Sequence, residues 1–292
     1  MPASLPQDRR AGVLLALAGF ALFPITDTLM KFLTRGYPLV ETMFFNALFS
    51  VVAIGAYGLL TAGPAGLATR RPGLQLLRGL AGLGAGGGAF FAFTQMPLAD
   101  VYAILFASPL IITALAGMLL GEPVGPKRWT AVAVGFMGVL LMLRPSGGGL
   151  MDIGAIAALA SAVSYSLSGL IVRRWGRGET AAAFPFYGNL LVMALTGCVL
   201  PFVFVLPSSA DLGLMALCGL CGGLALLCLL GAFRIAPVPV VAPFQYMEIL
   251  WGLLYGALIF GDRPEGGIVL GAAVVILSGL YLIRLDAVRT PS

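Results

Sequence analysis

Long apolar runs, separated by short breaks rich in Gly, Pro and charge, follow one another along the whole chain. The runs cover 11–33, 39–60, 72–93, 97–120, 128–144, 152–173, 183–206, 211–233, 239–260 and 267–285. Each holds few charges and is about 20 residues long, enough for a helix to cross the roughly 30 Å hydrocarbon core of a bilayer. The breaks are Gly36-Tyr37-Pro38, Gly63-Pro64, Met96-Pro97, Gly121-Glu122-Pro123, Arg144-Pro145-Ser146-Gly147, Gly176-Arg177-Gly178, Pro207-Ser208-Ser209 and Gly261-Asp262-Arg263-Pro264, with a softer one at Ala236-Pro237. Residues of these types stop helices and start turns. The pattern predicts an all-α integral membrane protein with ten transmembrane helices. Its short connections predict that consecutive helices lie antiparallel as neighbours, and they leave no room for a domain outside the membrane.

The chain also repeats itself. At an offset of 142, Gly12 matches Gly154, Leu17-Ala18 matches Leu159-Ala160, Lys31 matches Arg173, Phe44 matches Phe186 and Gly55 matches Gly197. At an offset of 140, Ala92-Phe93 matches Ala232-Phe233, Pro97 matches Pro237 and Gly121-Glu122 matches Gly261-Asp262; Gly138 matches Gly279 one residue further on. Residues 1–145 and 146–292 thus read as two five-helix repeats. An odd helix number makes the second repeat enter the membrane upside down. Inverted repeats supply two related conformations of similar energy, with a substrate site at the midplane between them and alternating access as the mechanism.

Charge sets the orientation. Of 17 Lys and Arg residues, 13 fall on one side of the ten-helix scheme, including Arg9, Arg10, Arg70, Arg71, Arg78, Lys127, Arg128, Arg173 and Arg174. Only Lys31, Arg35, Arg144 and Arg263 fall on the other. By the positive-inside rule both termini are cytoplasmic, as in a multi-pass protein of a bacterial-type inner membrane. The net charge of +5 is dispersed over short loops, so it indicates contact with lipid head groups and no nucleic-acid partner. Residues 11–33 are too long for a signal-peptide core and carry Asp27 and Lys31, so they read as a permanent helix. There is no His, and Cys198, Cys218, Cys221 and Cys228 all fall within apolar runs. No metal site or cofactor is predicted.

The segments Leu77-Arg78-Gly79, Ala89-Phe90-Phe91-Ala92-Phe93, Met96-Pro97-Leu98-Ala99, Ser108-Pro109 and Leu119-Leu120-Gly121-Glu122 resemble the EamA-type module of the drug/metabolite transporter superfamily. Ala236-Pro237, Pro243-Phe244-Gln245-Tyr246, Trp251 and Phe260-Gly261-Asp262-Arg263-Pro264 repeat the resemblance in the second half. The resemblance implies a secondary carrier of small metabolites, and the arrangement is similar to YddG-type amino acid exporters. Two departures bear on substrate choice. The family's Arg early in the second helix is replaced around Asn46, and its Pro midway along the ninth is replaced near Glu248.

Ionisable side chains inside an apolar helix need a partner or a wet cavity. Glu248 and Arg78 fall at similar depth, and together they suit the amine and carboxylate of an amino acid; alternatively they pair, or Arg78 snorkels to the interface. Asp27 and Lys31 sit four apart and can pair on one helix face. Glu41 and Asp100 read as interfacial. Asn46 and Asn189 occupy repeat-related helices and either pack or face a cavity. Phe244, Glu248, Trp251 and Tyr255 recur at i, i+4, i+7 and i+11, an acid on an aromatic stripe suited to a cation; Tyr246 and Tyr102 join the candidates. The glycine run from Gly79 to Gly88 reads as close helix packing. Small-residue pairs such as Gly252/Gly256 allow a monomer or a homodimer. The reading is therefore export of amino acids, including aromatic ones, with cationic drugs or another metabolite as the alternative. An intramembrane enzyme would need a nucleophile and base that a chain without His hardly supplies, and no ring of like charges suggests a channel.

Overall fold

The computed structural model describes residues 9–120, 125–142, 153–175, 179–180, 182–236, 238–262 and 266–287. Among these residues there is no β-strand. In hydrocarbon every backbone N–H and C=O has to be paired within its own segment, which favours helices. The helices are α1 (Arg9–Leu33), α2 (Leu39–Ala62), α3 (Pro72–Gln95), α4 (Leu98–Leu105), α5 (Ser108–Leu120), α6 (Pro126–Met142), α7 (Ile153–Trp175), α8 (Ala183–Val203), α9 (Ser209–Ile235), α10 (Val238–Val241), α11 (Met247–Tyr255) and α12 (Gly266–Ala287). Among the described residues, seven stretches are long and apolar enough to cross a membrane: Arg10–Leu33, Leu39–Gly66, Pro72–Gln95, Leu98–Met118, Ile153–Val172, Ala183–Val203 and Ser209–Phe233. Phe244–Phe260 and Val269–Leu282 are shorter apolar helices.

Two of the predicted helices are interrupted. The run 97–120 breaks at Phe106–Ala107 because Pro109 has no N–H to carry the ladder across. Ser108 Oγ there donates to the Leu105 carbonyl at 2.6 Å, and Ser166 Oγ donates to the Ser108 carbonyl at 3.2 Å. The run 239–260 is α10, a 3₁₀ turn (Ala242–Tyr246) containing Pro243, α11, and a π-helical turn (Gly256–Phe260). That turn ends at Gly261 with φ 69° and an Asp262 N–H bond to the Gly256 carbonyl. The predicted run 183–206 stops at Val203, and the chain continues extended to Ser208. The predicted breaks at Gly121–Pro123, Arg144–Gly147 and Gly176–Gly178 lie outside the described residues, as do Pro237 and Arg263-Pro264.

The expectation that consecutive helices are neighbours fails. The main packing pairs are α1 with α9, α3 with α7, α6 with α12, and α2 with both α8 and α9, while α1 and α2 barely touch. Short loops fix only one end of a helix pair. Small residues then decide which faces close, because lipid tails are as apolar as Leu and give no hydrophobic drive toward any particular neighbour. The first and second halves are consequently interleaved.

Their contacts are also reciprocal. A Cβ on Gly55 would come 3.2 Å from the Phe186 ring, and one on Gly197 would come 3.2 Å from the Phe44 ring. Gly12 abuts Ala236, and Gly154 abuts Met96. Gly79 abuts Leu191 and Gly188, and Gly219 abuts Phe49 and Asn46. Each pair is converted into its counterpart by the 140- or 142-residue offset of the sequence repeat.

A Cβ on Gly219 would lie 2.6 Å from the Asn46 carbonyl oxygen and 2.6 Å from Phe49 Cβ, whereas Gly213 on the same helix has nothing within 4 Å. Gly219→Val is therefore expected to lower stability in detergent by about 1–3 kcal/mol, seen as a lower melting temperature. Gly213→Ala should leave it unchanged or raise it by up to about 1 kcal/mol.

Candidate functional site

A cavity of about 490 Å³ lies between the halves, with walls from α1, α2, α3, α4, α7, α8, α9 and α11. Each wall traces to a helix face. On α1, Phe20, Phe23 and Asp27 recur at i, i+3 and i+7. On α7, Ser161, Tyr165 and Ser168 recur at i, i+4 and i+7. Along α3 the face from Arg78 to Phe93 passes through Gly82, Gly86 and Gly87, whose missing side chains leave the space. The glycine run therefore splits by face. Gly79, Gly84 and Gly88 pack against α8 and α7, and the glycines between them line the cavity.

Of the sequence candidates, Asp27, Asn46, Arg78, Tyr102, Asn189 and Glu248 line this cavity. Asp27 Oδ2 accepts a 2.6 Å hydrogen bond from the Tyr102 hydroxyl. Tyr102 is itself buried edge-on against Phe93, with ring centroids 5.5 Å apart. The anticipated Asp27–Lys31 pair does not form. Lys31 Nζ instead reaches Asp262 Oδ2 at 3.0 Å and the Met96 carbonyl at 2.8 Å, over the Phe260 ring.

Among the described residues Arg78 does not pair with Glu248. Its NH1 donates to the Phe184 carbonyl at 2.6 Å, and the guanidinium sits 5.3 Å from the centroid of the Phe184 ring. Its Nε is buried with no partner. Among the described residues no hydrogen bond or ion pair reaches the Glu248 side chain. Asn46 Nδ2 donates to Cys218 Sγ at 3.3 Å, tying α2 to α9, and Asn189 Nδ2 donates to the Pro185 carbonyl of its own helix.

The rest of the aromatic stripe lies elsewhere. Phe244 packs with Ala16, Phe20 and Val241. Trp251 and Tyr255 stack on one another, with centroids 5.6 Å apart. Tyr246 packs edge-on against Phe106 in the main core. The stripe assumed an unbroken α-helix, but residues 242–246 turn with the 3.0-residue period of a 3₁₀ helix, which rotates Phe244 away from the Glu248 face. Glu41, in the first turn of α2, is fully buried, and its Oε2 accepts the backbone N–H of Val205 where α8 has ended. Asp100 is buried as well. Tyr165, Ser161, Ser168, Gln245, Phe20 and Phe23 also line the cavity; the polar i, i+4, i+7 spacing on α7 was the readable signal for the first three.

A mostly apolar chamber lined by Asp27, Arg78 and Glu248 and walled by membrane-length helices suits the passage of a small molecule. The chain belongs to the EamA-like transporter family, which matches twice, over residues 10–144 and 152–285, and so to the drug/metabolite transporter superfamily. It is 26% identical to the S-adenosylmethionine uptake transporter of Rickettsia prowazekii (strain Madrid E), over 93% of this chain and 92% of that one. It is 31% identical to the riboflavin transporter of Rhizobium johnstonii, over 94% and 91%. It is 25% identical to the pseudopaline exporter CntI of Pseudomonas aeruginosa (strain UCBPP-PA14), over 94% and 96%. A solved crystal structure, 21% identical, superposes with a TM-score of 0.67 over 97% of this chain and all of that one, which shows the shared fold.

Two tyrosines give opposite expectations. Tyr102→Phe strips Asp27 of its one hydrogen-bond donor among the described residues and should cost about 1–3 kcal/mol in thermal unfolding. Tyr246 buries a hydroxyl with no hydrogen-bond partner, so Tyr246→Phe should be neutral or stabilising in the same assay.

Proposed function

We propose that this transporter carries amino acids, aromatic ones included, and metabolites built on an amino-acid head group, with the head group read by Arg78 on one side of the cavity and by Glu248 and Asp27 on the other. The observation that carries this reading is the Arg78 Nε, buried without a partner, in the same aromatic-walled cavity as a carboxylate that accepts no hydrogen bond. An α-carboxylate satisfies the first and an α-amine the second. A volume of about 490 Å³ lies within the roughly 300–1,000 Å³ of small-molecule sites and has room for a bulky side chain. The S-adenosylmethionine carried by one relative is an amino acid joined to a nucleoside, which fits the same division of labour. Both uptake and export occur among the relatives' names, so we leave direction to the prevailing gradients.

The mechanism we propose is alternating access by two inverted five-helix repeats, 1–145 and 146–292, making ten crossings with both termini cytoplasmic. In this count α4–α5 and the stretch from α10 to the π turn are single interrupted crossings. The reciprocal glycine contacts and the double family match support the repeats, and the Lys/Arg asymmetry supports the orientation. Lys31 is then a latch. Its bonds to Asp262 and to the Met96 carbonyl tie the end of α1 to the turns that follow α11 and α3, closing the cavity at the end beyond Asp27 and Tyr102.

A second reading, transport of organic cations, draws on the presence of two acids against one Arg. Arg78→Gln separates the two. In proteoliposomes it should raise the KM for tryptophan about 10–100-fold, the loss of one hydrogen bond to a charged group, and leave tryptamine unaffected. Equal loss for both compounds, or none for tryptophan, would remove Arg78 as the carboxylate reader and favour the cation reading.

The latch has its own test. With a single cysteine at Phe90 in a cysteine-free background, Asp262→Asn should speed labelling by a membrane-impermeant thiol reagent from the Lys31 side several-fold. The exchanged pair Lys31→Asp/Asp262→Lys should restore slow labelling. An unchanged rate in Asp262→Asn would show that the pair does not hold the cavity shut.

A further inference from the structure

Where α3 begins and α7 ends, an open groove lies between them, sharing no lining residue with the cavity. Arg71, Gly73, Leu74, Leu77 and Trp175 line it, over a volume of about 400 Å³. Arg71 NH1 donates to the Trp175 carbonyl at 2.9 Å, which fixes the guanidinium at the rim. Arg70 and Arg174, the chain neighbours of Arg71 and Trp175, are exposed. Below the rim the lining is almost wholly apolar, and it continues along α3 as the exposed Leu76, Leu77 and Leu80. The level is that of a membrane interface, since the apolar spans start at Pro72 and end at Val172. Trp at such a boundary is an interfacial anchor.

We infer that this groove binds an acidic phospholipid, with the phosphate at Arg71 and Arg174 and an acyl chain along Leu74, Leu77 and the face of Trp175. Cationic side chains at a helix boundary attract anionic head groups, and Arg presents a planar fork matched to phosphate oxygens. A free inorganic anion would gain nothing from the leucine floor. A choline head group would bring a cation to the arginines. The nearby acid is Glu179, which is turned to other work. It accepts from the Thr69 hydroxyl at 2.6 Å, the Gln75 amide at 2.9 Å and the Arg70 backbone N–H at 3.0 Å, and it does not line the groove. The Thr69 bond, with those from Arg70 and Gln75 and a smaller contribution from the positive charge of Arg71, holds its carboxyl below the usual carboxylate range. Three arginines therefore outweigh one engaged carboxylate. The bound lipid would clamp α3 to α7, two helices that also wall the cavity; Arg78 lies two turns along α3 from Arg71.

The inference rests on α3 and α7 crossing the membrane and is independent of which substrate is carried, so its test reads lipid alone. In the full chain reconstituted in nanodiscs, with Trp129→Phe and Trp251→Phe leaving Trp175 as the sole tryptophan, small mole fractions of chain-brominated phosphatidylglycerol or phosphatidylcholine are added. Phosphatidylglycerol is expected to quench Trp175 several-fold more strongly. Arg71→Gln with Arg174→Gln should bring quenching down to the phosphatidylcholine level. Arg71→Lys with Arg174→Lys should retain much of the preference, which guards against a folding defect, and Glu179→Gln should not abolish it. Equal quenching by the two lipids would overturn the inference, as would a preference that survives the double Gln variant. Loss of the preference in millimolar inorganic phosphate at constant ionic strength would make the groove a free-anion site and overturn it too.

Discussion

A charge held among lipid-embedded helices must be met by a partner or by water, and that constraint arranges most of the polar groups in this protein. Lys31 is met by Asp262 and the Met96 carbonyl, Asp27 by Tyr102, Arg78 by the Phe184 carbonyl, and Glu41 by the Val205 N–H. Several of these partners are backbone groups at helix ends or breaks, where the ladder leaves donors and acceptors unused. Breaks in the helices thus double as docking points for charge. Glu248, which accepts no hydrogen bond among the described residues, and the buried Nε of Arg78 are exceptions, and both residues line the cavity. What the protein leaves unmet, a passenger has to meet.

The three charged residues of the cavity are also where its two halves differ. Under the offsets that interchange the glycine contacts, Arg78 corresponds to Cys218, Asp27 to Gly169 and Glu248 to Ser108. Packing follows the repeat, while charge departs from it. The Asn46–Cys218 contact occupies the place that Gly188 and Arg78 hold on the other side: one half closes the position with a hydrogen bond to sulfur, and the other opens it to a guanidinium.

The sequence exposed the parts of the site that violate apolar composition. Asp27, Arg78, Glu248, Asn46, Asn189 and Tyr102 stand out in apolar helices, and all six border the cavity. It did not expose phase. Placing Phe244 with Glu248 required a regular helix through Pro243, and a 3₁₀ turn stands there instead; Trp251 and Tyr255 share α11 with Glu248 but stack on one another away from the cavity lining. Nor did it expose partners. Asp27 and Lys31 share a face of α1, yet each is claimed by a group remote in sequence, which i, i+4 spacing cannot foresee. The glycines of α3 were legible as small but not by face, so packing and cavity glycines looked alike. Neighbours were misjudged for a related reason: loop length constrains where a helix starts, and the face it closes against depends on small residues more than a hundred positions away.

Interleaved packing has a consequence for how the chain is made. The main packing partner of α1 is α9, and that of α3 is α7, so no early helix can reach its final neighbour while the ribosome is still on the first half. Gly12, Gly19, Gly79 and Gly88, which end against the backbone or side chains of α7, α8, α9 and the α9–α10 turn, must first face lipid or temporary companions. The first half of the chain is therefore an unfinished surface during synthesis, and its assembly is held open until the rest of the chain has entered the bilayer.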